Sequence, residues 1–222
     1  MRKKSLISMF AAMGLVAAIG VGATLAFLSA ETKTLTNTFT FTDQGIGLRL
    51  DEAKVENGVA TDDRTTYDAS EVERTQDYKE VLPGATLPKD PRVTVEANSI
   101  NCYVFASITD PTTDDVDIAD LNTTDWEEIT AIAGHTFTPA GNTKYYVYRG
   151  TAATDRIVPT SSADRPLGKL FTQVKIADVP KADPGSSLGN IVIRSAAIQS
   201  DNNTYAAAAA EALGKALDGG KV

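Results

Sequence analysis

The sequence predicts an all-β fold: a jelly-roll-like antiparallel β-sandwich with long loops and one C-terminal α-helix. Three observations point there. Short segments rich in Thr, Val and Ile alternate apolar and polar residues with a period of two, the spacing of a half-buried strand. Turn-forming pairs such as Asn57-Gly58, Asp62-Asp63 and Pro83-Gly84 separate them. Strong helical patterning is confined to an alanine run near the C-terminus. Many short strands between turn clusters are the pattern of a sandwich or jelly roll.

The first element is not a strand. Arg2, Lys3 and Lys4 precede an almost wholly apolar run over residues 6–28, broken by Ser8, Thr24 and several glycines. This is the layout of a secretory signal peptide, and the small residues around Ala23 and Ala26 favour cleavage. The run is also long enough to cross a bilayer, so an uncleaved anchor is the alternative. The division is therefore residues 1–26 as a removed export segment and 27–222 as one β-sandwich domain. Removal takes away three cationic residues and no acidic one, so the net charge falls from −8 to −11. Such an acidic chain is not built to hold phosphates, and nucleic acid is not expected as a partner.

Within the domain the N-terminal strand segment spans residues 27–41. Leu35, Phe39 and Phe41 share one face there, with Thr36, Thr38 and Thr40 on the other. Residues 46–50 predict a second short strand after a turn at residues 43–45. Residues 51–77, acidic and polar, predict a long surface excursion. Pro83-Gly84 marks a turn. Residues 92–96 predict a strand with Val93 and Val95 on one face. Residues 101–109 are apolar on both faces, as in a strand covered on both sides. Residues 110–120 predict a loop or short helix, and further strands are expected at 126–130, 144–149, 170–176 and 190–198. A helix is expected over about 203–217, capped by Asn202 or Asn203 and stopped at Gly219. Tyr205, Ala209, Ala212, Leu213, Ala216 and Leu217 fall near one face. Docking on its own domain is the expected fate of that face, with an interaction helix as the alternative.

Few residues could carry chemistry. The chain has one Cys, one His and one Trp. That excludes an internal disulfide framework and a CxxC redox pair, and leaves little for zinc. His135 sits in a predicted turn without a GxSxG or HExxH context. Cys102 falls in a strand, where a thiol behaves as a small buried hydrophobe. Glu127 and Glu128 are adjacent, so a strand points them to opposite faces and not into a glycosidase pair. Tyr145, Tyr146 and Tyr148 could stack on sugar or fill the sandwich. Asp110, Asp114, Asp115, Asp117 and Asp120 crowd one loop; Asp114, Asp115 and Asp117 are candidate calcium ligands, or else a solvated acidic loop. No cofactor is expected and no catalytic residue is assigned.

Two stretches then stand out together. One runs Gly22-Ala23-Thr24-Leu25-Ala26-Phe27-Leu28-Ser29-Ala30-Glu31-Thr32, followed by Asn37-Thr38-Phe39. The other runs Leu82-Pro83-Gly84-Ala85-Thr86-Leu87-Pro88-Lys89-Asp90-Pro91-Arg92-Val93-Thr94-Val95, followed by Cys102-Tyr103-Val104-Phe105. With them the chain resembles the TasA/camelysin family of secreted Gram-positive proteins, processed by a SipW-type signal peptidase. Residues 51–77 and 110–165 carry none of the resemblance. It implies a jelly roll, a place in the extracellular matrix or on the cell surface, assembly into biofilm fibres, and cleavage between Ala26 and Phe27. A protease activity attached to the camelysin name finds no supporting motif here.

A mechanism for assembly follows from the segment itself. Residues 27–41 are rich in Thr, charged only at Glu31 and Lys33, and free of Pro and Gly. Such a strand can be donated to a neighbouring copy, and head-to-tail donation makes a filament because it does not close. The donor role falls on residues 27–34, with Phe27, Leu28, Ala30, Thr32 and Thr34 as its assembly residues; 35–41 belong to the chain's own sheet. The expected partners are further copies of the chain, the signal peptidase, and matrix or cell-wall components. A monomeric adhesin or ligand-binding module is the alternative, and a secreted metalloprotease the third reading. The end, Gly219-Gly220-Lys221-Val222, shows neither an LPxTG motif nor a hydrophobic tail, so retention at the surface is expected through assembly or partners.

Overall fold

The computed structural model describes residues 29–32, 45–56, 59–66, 78, 81–110, 114–150, 155–184 and 186–217. In chain order its strands are β1 (Ser29–Thr32), β2 (Leu48–Glu56), β3 (Val59–Thr66), β4 (Thr86–Pro88), β5 (Arg92–Val95), β6 (Cys102–Thr109) and β7 (Val116–Ile118). Then come β8 (Trp126–Glu128), β9 (Thr143–Tyr148), β10 (Ile157–Val158), β11 (Arg165–Pro166), β12 (Gln173–Ile176) and β13 (Val192–Gln199). Helix α1 (Tyr205–Glu211) follows and runs on as a π-helical turn, Ala212–Ala216. The predicted strand at residues 35–41, the turn at 43–45 and the stop at Gly219 lie outside, or reach beyond, the described residues.

Every strand pairing is antiparallel. The largest sheet has the order β1-β13-β6-β9-β8, with β10 also on β6. A second runs β11-β5-β2-β3 and a third β4-β12-β7. The protein is thus an all-β sandwich with one short C-terminal helix, and its second layer is divided between two sheets.

Strand β6 explains the layering. Alternate side chains of a strand point to opposite faces, and both faces of β6 are apolar. Cys102, Val104, Ala106 and Ile108 turn to a core shared with Leu48 of β2, Val93 and Val95 of β5, and Val174 of β12. Tyr103 and Phe105 turn the other way, onto Tyr145 and Val147 of β9 and onto Ala208, Ala209, Leu213 and Leu217. The expectation of a strand covered on both sides holds, and the helix is one of the covers. Trp126 fills the first core while its indole N–H donates to the Gly168 carbonyl at 2.8 Å, so its polar edge is satisfied inside.

Three expectations need correction. Residues 51–56 and 59–66, within the expected surface excursion, are strands instead: β2 extends to Glu56 and pairs with β3 as an antiparallel hairpin, Glu56 opposite Val59. Its strand carries Asp51 and Glu52 where a hydrophobic pattern wants apolar residues, yet both are buried. Asp51 lies beside Arg49 Nε at 3.6 Å and Arg92 Nε at 3.5 Å, and Glu52 takes the Lys89 ammonium at 2.5 Å. The 110–120 segment contains β7, because Val116 and Ile118 pair with Ile176 and Val174 of β12 and join the core. The helix is capped by Thr204, whose hydroxyl accepts the Ala207 N–H at 3.2 Å, and not by Asn202 or Asn203. Asn202 has φ of +59° and sits in the turn ahead of it. At Pro83-Gly84 the predicted turn forms, with Gly84 at φ +74° and Ala85 N–H donating to Leu82.

Candidate functional site

The N-terminal edge of the large sheet is where two of the predicted assembly residues, Ala30 and Thr32, lie. β1 pairs with β13, Ser29 opposite Ile198, Ala30 opposite Ala197, Glu31 opposite Ala196 and Thr32 opposite Ser195. β13 in turn pairs along its whole length with β6, from Val192 opposite Thr109 to Gln199 opposite Cys102. Ser195, Ala196, Ala197 and Ile198 are buried. Their main-chain groups on the outer side need partners once water is excluded, and β1 supplies them. Among the described residues β1 is the end of this sheet, and it also lies against β2 and the π-helical turn. Ala30 and Thr32 therefore sit on the chain's own β13. Within the segment 27–34 expected to act mainly as donor, residues 29–32 are thus paired in the chain's own sheet. Ala26, Phe27, Leu28 and Thr34 lie outside the described residues.

Strand direction gives the molecule two distinct ends. Ser29 sits beside Ile198, which faces Tyr103 near the start of β6. The opposite end of β6, about 20 Å away at 3.3 Å per residue, leads to the aspartates. There an open cleft of about 600 Å³ is lined by Asp110, Asp114, Asp117, Asn142 and Lys144.

The three calcium candidates are held separately. Asp115 is buried, and its two carboxylate oxygens accept the backbone N–H groups of Lys181 (2.7 Å) and Ala182 (3.0 Å), so it anchors that loop. Asp114 is exposed and takes the Lys181 ammonium at 2.5 Å; that hydrogen bond and charge hold its carboxyl below the usual range. Asp117, on β7, stands opposite Lys175 of β12. Asp110 is pushed up, chiefly by burial, with Lys144 opposing and Asp117 adding to the shift. Among the described residues no group of three or more His, Cys, Asp or Glu is placed to hold a metal ion.

Cys102 is fully buried, and burial pushes its thiol up to about 12. His135 is exposed, bridged through its backbone to Ile132. Tyr145 and Tyr146 are buried on opposite faces of β9, so they fill the two cores. Glu127 and Glu128 also point to opposite faces; the Arg156 fork donates to both Glu127 oxygens, Nη2 to Oε1 at 3.0 Å and Nε to Oε2 at 3.3 Å. The same guanidinium stacks 4.4 Å over the Tyr205 ring, tying the start of α1 to β8. No sequence signal announces this clamp, because Glu127, Arg156 and Tyr205 are far apart in the chain.

Comparison with protein-family models, with curated proteins and with solved structures finds no match.

Proposed function

We propose that the protein is a secreted structural subunit that builds extracellular or cell-surface fibres by passing its N-terminal strand between copies after its export segment is cut. The observation that carries this reading is the place of β1. Among the described residues it is a four-residue edge strand, bonded to one neighbour, downstream of the apolar export run. An edge strand is the element most easily exchanged between chains, and β13 offers a complete ladder to whichever copy of β1 arrives. Donation to the next copy leaves the donor's own edge for another, so the contact is heterologous and extends into a filament. Membrane attachment through the export segment would hold the strand until cleavage between Ala26 and Phe27. The resemblance in residues 22–39 and 82–105 agrees with this reading and adds the jelly-roll connectivity and the biofilm matrix as its setting.

The test is to collect the chain secreted from cells expressing the full sequence, read its N-terminus by mass, and image it by electron microscopy. Filaments from a chain starting at Phe27, lost on deletion of residues 27–32, are the expected result. A synthetic peptide of residues 27–34 should bind the deleted chain and cap growing ends. A secreted chain that stays monomeric at every concentration would overturn the fibre reading and favour a ligand-binding module.

A further inference from the structure

We propose that β1, lying on β13 of its own chain, is an autoinhibitory contact that keeps each copy closed, so that assembly is gated by release of this strand. The inference rests on the fibre reading and concerns how it is controlled. The edge a neighbour would fill is already filled: Ser195, Ala196, Ala197 and Ile198 are buried, and each is paired in register with the chain's own Thr32, Glu31, Ala30 and Ser29. Exchange between copies remakes the same four pairs. The ladder itself therefore gives no net gain, and what favours the polymer is the new contact between copies.

Concentration decides which form wins. Twelve residues, 33–44, separate β1 from the chain at Gly45. β1 and β13 belong to one covalent chain, so the strand meets its own groove intramolecularly, and effective concentrations between linked partners reach the order of mM. A second copy at about 1 μM competes roughly a thousandfold less well on that scale. Freshly cleaved copies thus remain closed monomers in dilute solution. Growth begins where copies are crowded, as at a producing cell's surface, or at a filament end that already presents a freed strand or edge. Cleavage makes the strand available, and crowding or seeding opens it.

The register supplies the test. Ala30 faces Ala197 and Glu31 faces Ala196. Directly opposed Cα atoms in an antiparallel pair are about 4.5 or 5.5 Å apart, both within disulfide reach. Two secreted variants are made, Ala30→Cys with Ala197→Cys, and Glu31→Cys with Ala196→Cys, so that one poorly folding pair does not end the test. The buried Cys102 thiol does not compete with the new pair. Oxidised as dilute monomers, the variants are expected to form an intrachain bridge, to lose filament formation even when seeded, and to regain it on reduction. Filaments assembled under reducing conditions and then oxidised should show ladders of disulfide-linked copies. Bridged monomers that polymerise like the unmodified chain would overturn the inference, as would intrachain bridges alone in oxidised filaments. If the unmodified chain forms no filaments, it is the fibre reading itself that fails.

Discussion

Arg156 shows how one residue can repay local strain. Its φ of +58° is left-handed, a conformation costing a non-glycine residue about 1 kcal/mol. Its side chain offsets that cost with the bidentate pair to Glu127 and the stack on Tyr205. The group is about a third exposed, so solvent discounts the ion pair. Arg156→Ala is expected to destabilise by about 1–2 kcal/mol in urea unfolding. Arg156→Gly should cost less than Arg156→Ala, because it relieves the strained φ. Arg156→Lys should recover little, since an ammonium offers neither the fork nor the flat stack. Cys102 carries a different prediction. Burial holds its pKa in the folded state near 12, above the 9.0 of a free thiol. The folded state therefore binds the proton more tightly, and this contribution is complete below pH 9 and lost as pH rises toward 12. Tyr146, Tyr148 and Tyr205 shift upward too, chiefly through burial, and add to the alkaline loss. Urea midpoints should fall from pH 8 to pH 10.5, and Cys102→Ala should flatten part of the fall. Native Cys102 should resist thiol reagents at pH 8 and react only on unfolding.

At the scale of the element, the β2–β3 hairpin turns on charge. Glu52 lies on the same strand face as Leu48 and Leu50, where an apolar residue is expected, and it is compensated there by Lys89. Removing one partner leaves a buried charge alone, so Lys89→Met is expected to cost about 3 kcal/mol. The double replacement Glu52→Leu with Lys89→Met should be close to neutral, read as a double-mutant cycle in denaturant. This explains why the hairpin was hidden in the sequence. Period-two patterning is legible when alternate residues are apolar, as in β6 and β13, and illegible when a buried position is filled by a paired acid. The strands of two or three residues, such as β10 and β11, are too short to show a period at all. The N-terminal edge was legible only in part. The segment 27–34 stands out by composition, but β13, with which its residues 29–32 pair, lies at the far end of the chain, and no local signal joins the two. The helix was legible from its alanines, whereas its cap was not. Three successive residues, Asn202, Asn203 and Thr204, can all cap, and the left-handed turn at Asn202 decides for Thr204. Thr204→Ala should cost about 1 kcal/mol, and Thr204→Ser should retain most of the cap.

At the scale of the whole molecule, the large sheet is a shared wall between two cores, and the two walls facing it differ in kind. On one side, branched and aromatic residues of β6, β8 and β9 interdigitate with the smaller sheets. On the other side, the helix presents Ala208, Ala209 and Ala212 to a surface that includes Ala196. Small residues on both partners bring the helix backbone close to the sheet, and the two leucines Leu213 and Leu217 reach beyond that close contact into the same core. The alanine run therefore does more than supply helix propensity: its inward members set the spacing, and its outward members do not. This separates two substitutions that propensity scales treat alike. Ala209 is fully buried, so Ala209→Leu must push the helix outward or force side chains off their rotamers, at about 1–3 kcal/mol. Ala207 is exposed on the same helix, so Ala207→Leu should leave stability within about 0.5 kcal/mol. The displacement caused by Ala209→Leu should travel further than its own site, because the π-helical turn that follows packs against both β13 and β1. Hydrogen exchange should show faster opening of β1 in Ala209→Leu and unchanged opening in Ala207→Leu. Equal protection of β1 in the two variants would mean that the helix covers the sheet without supporting its N-terminal edge.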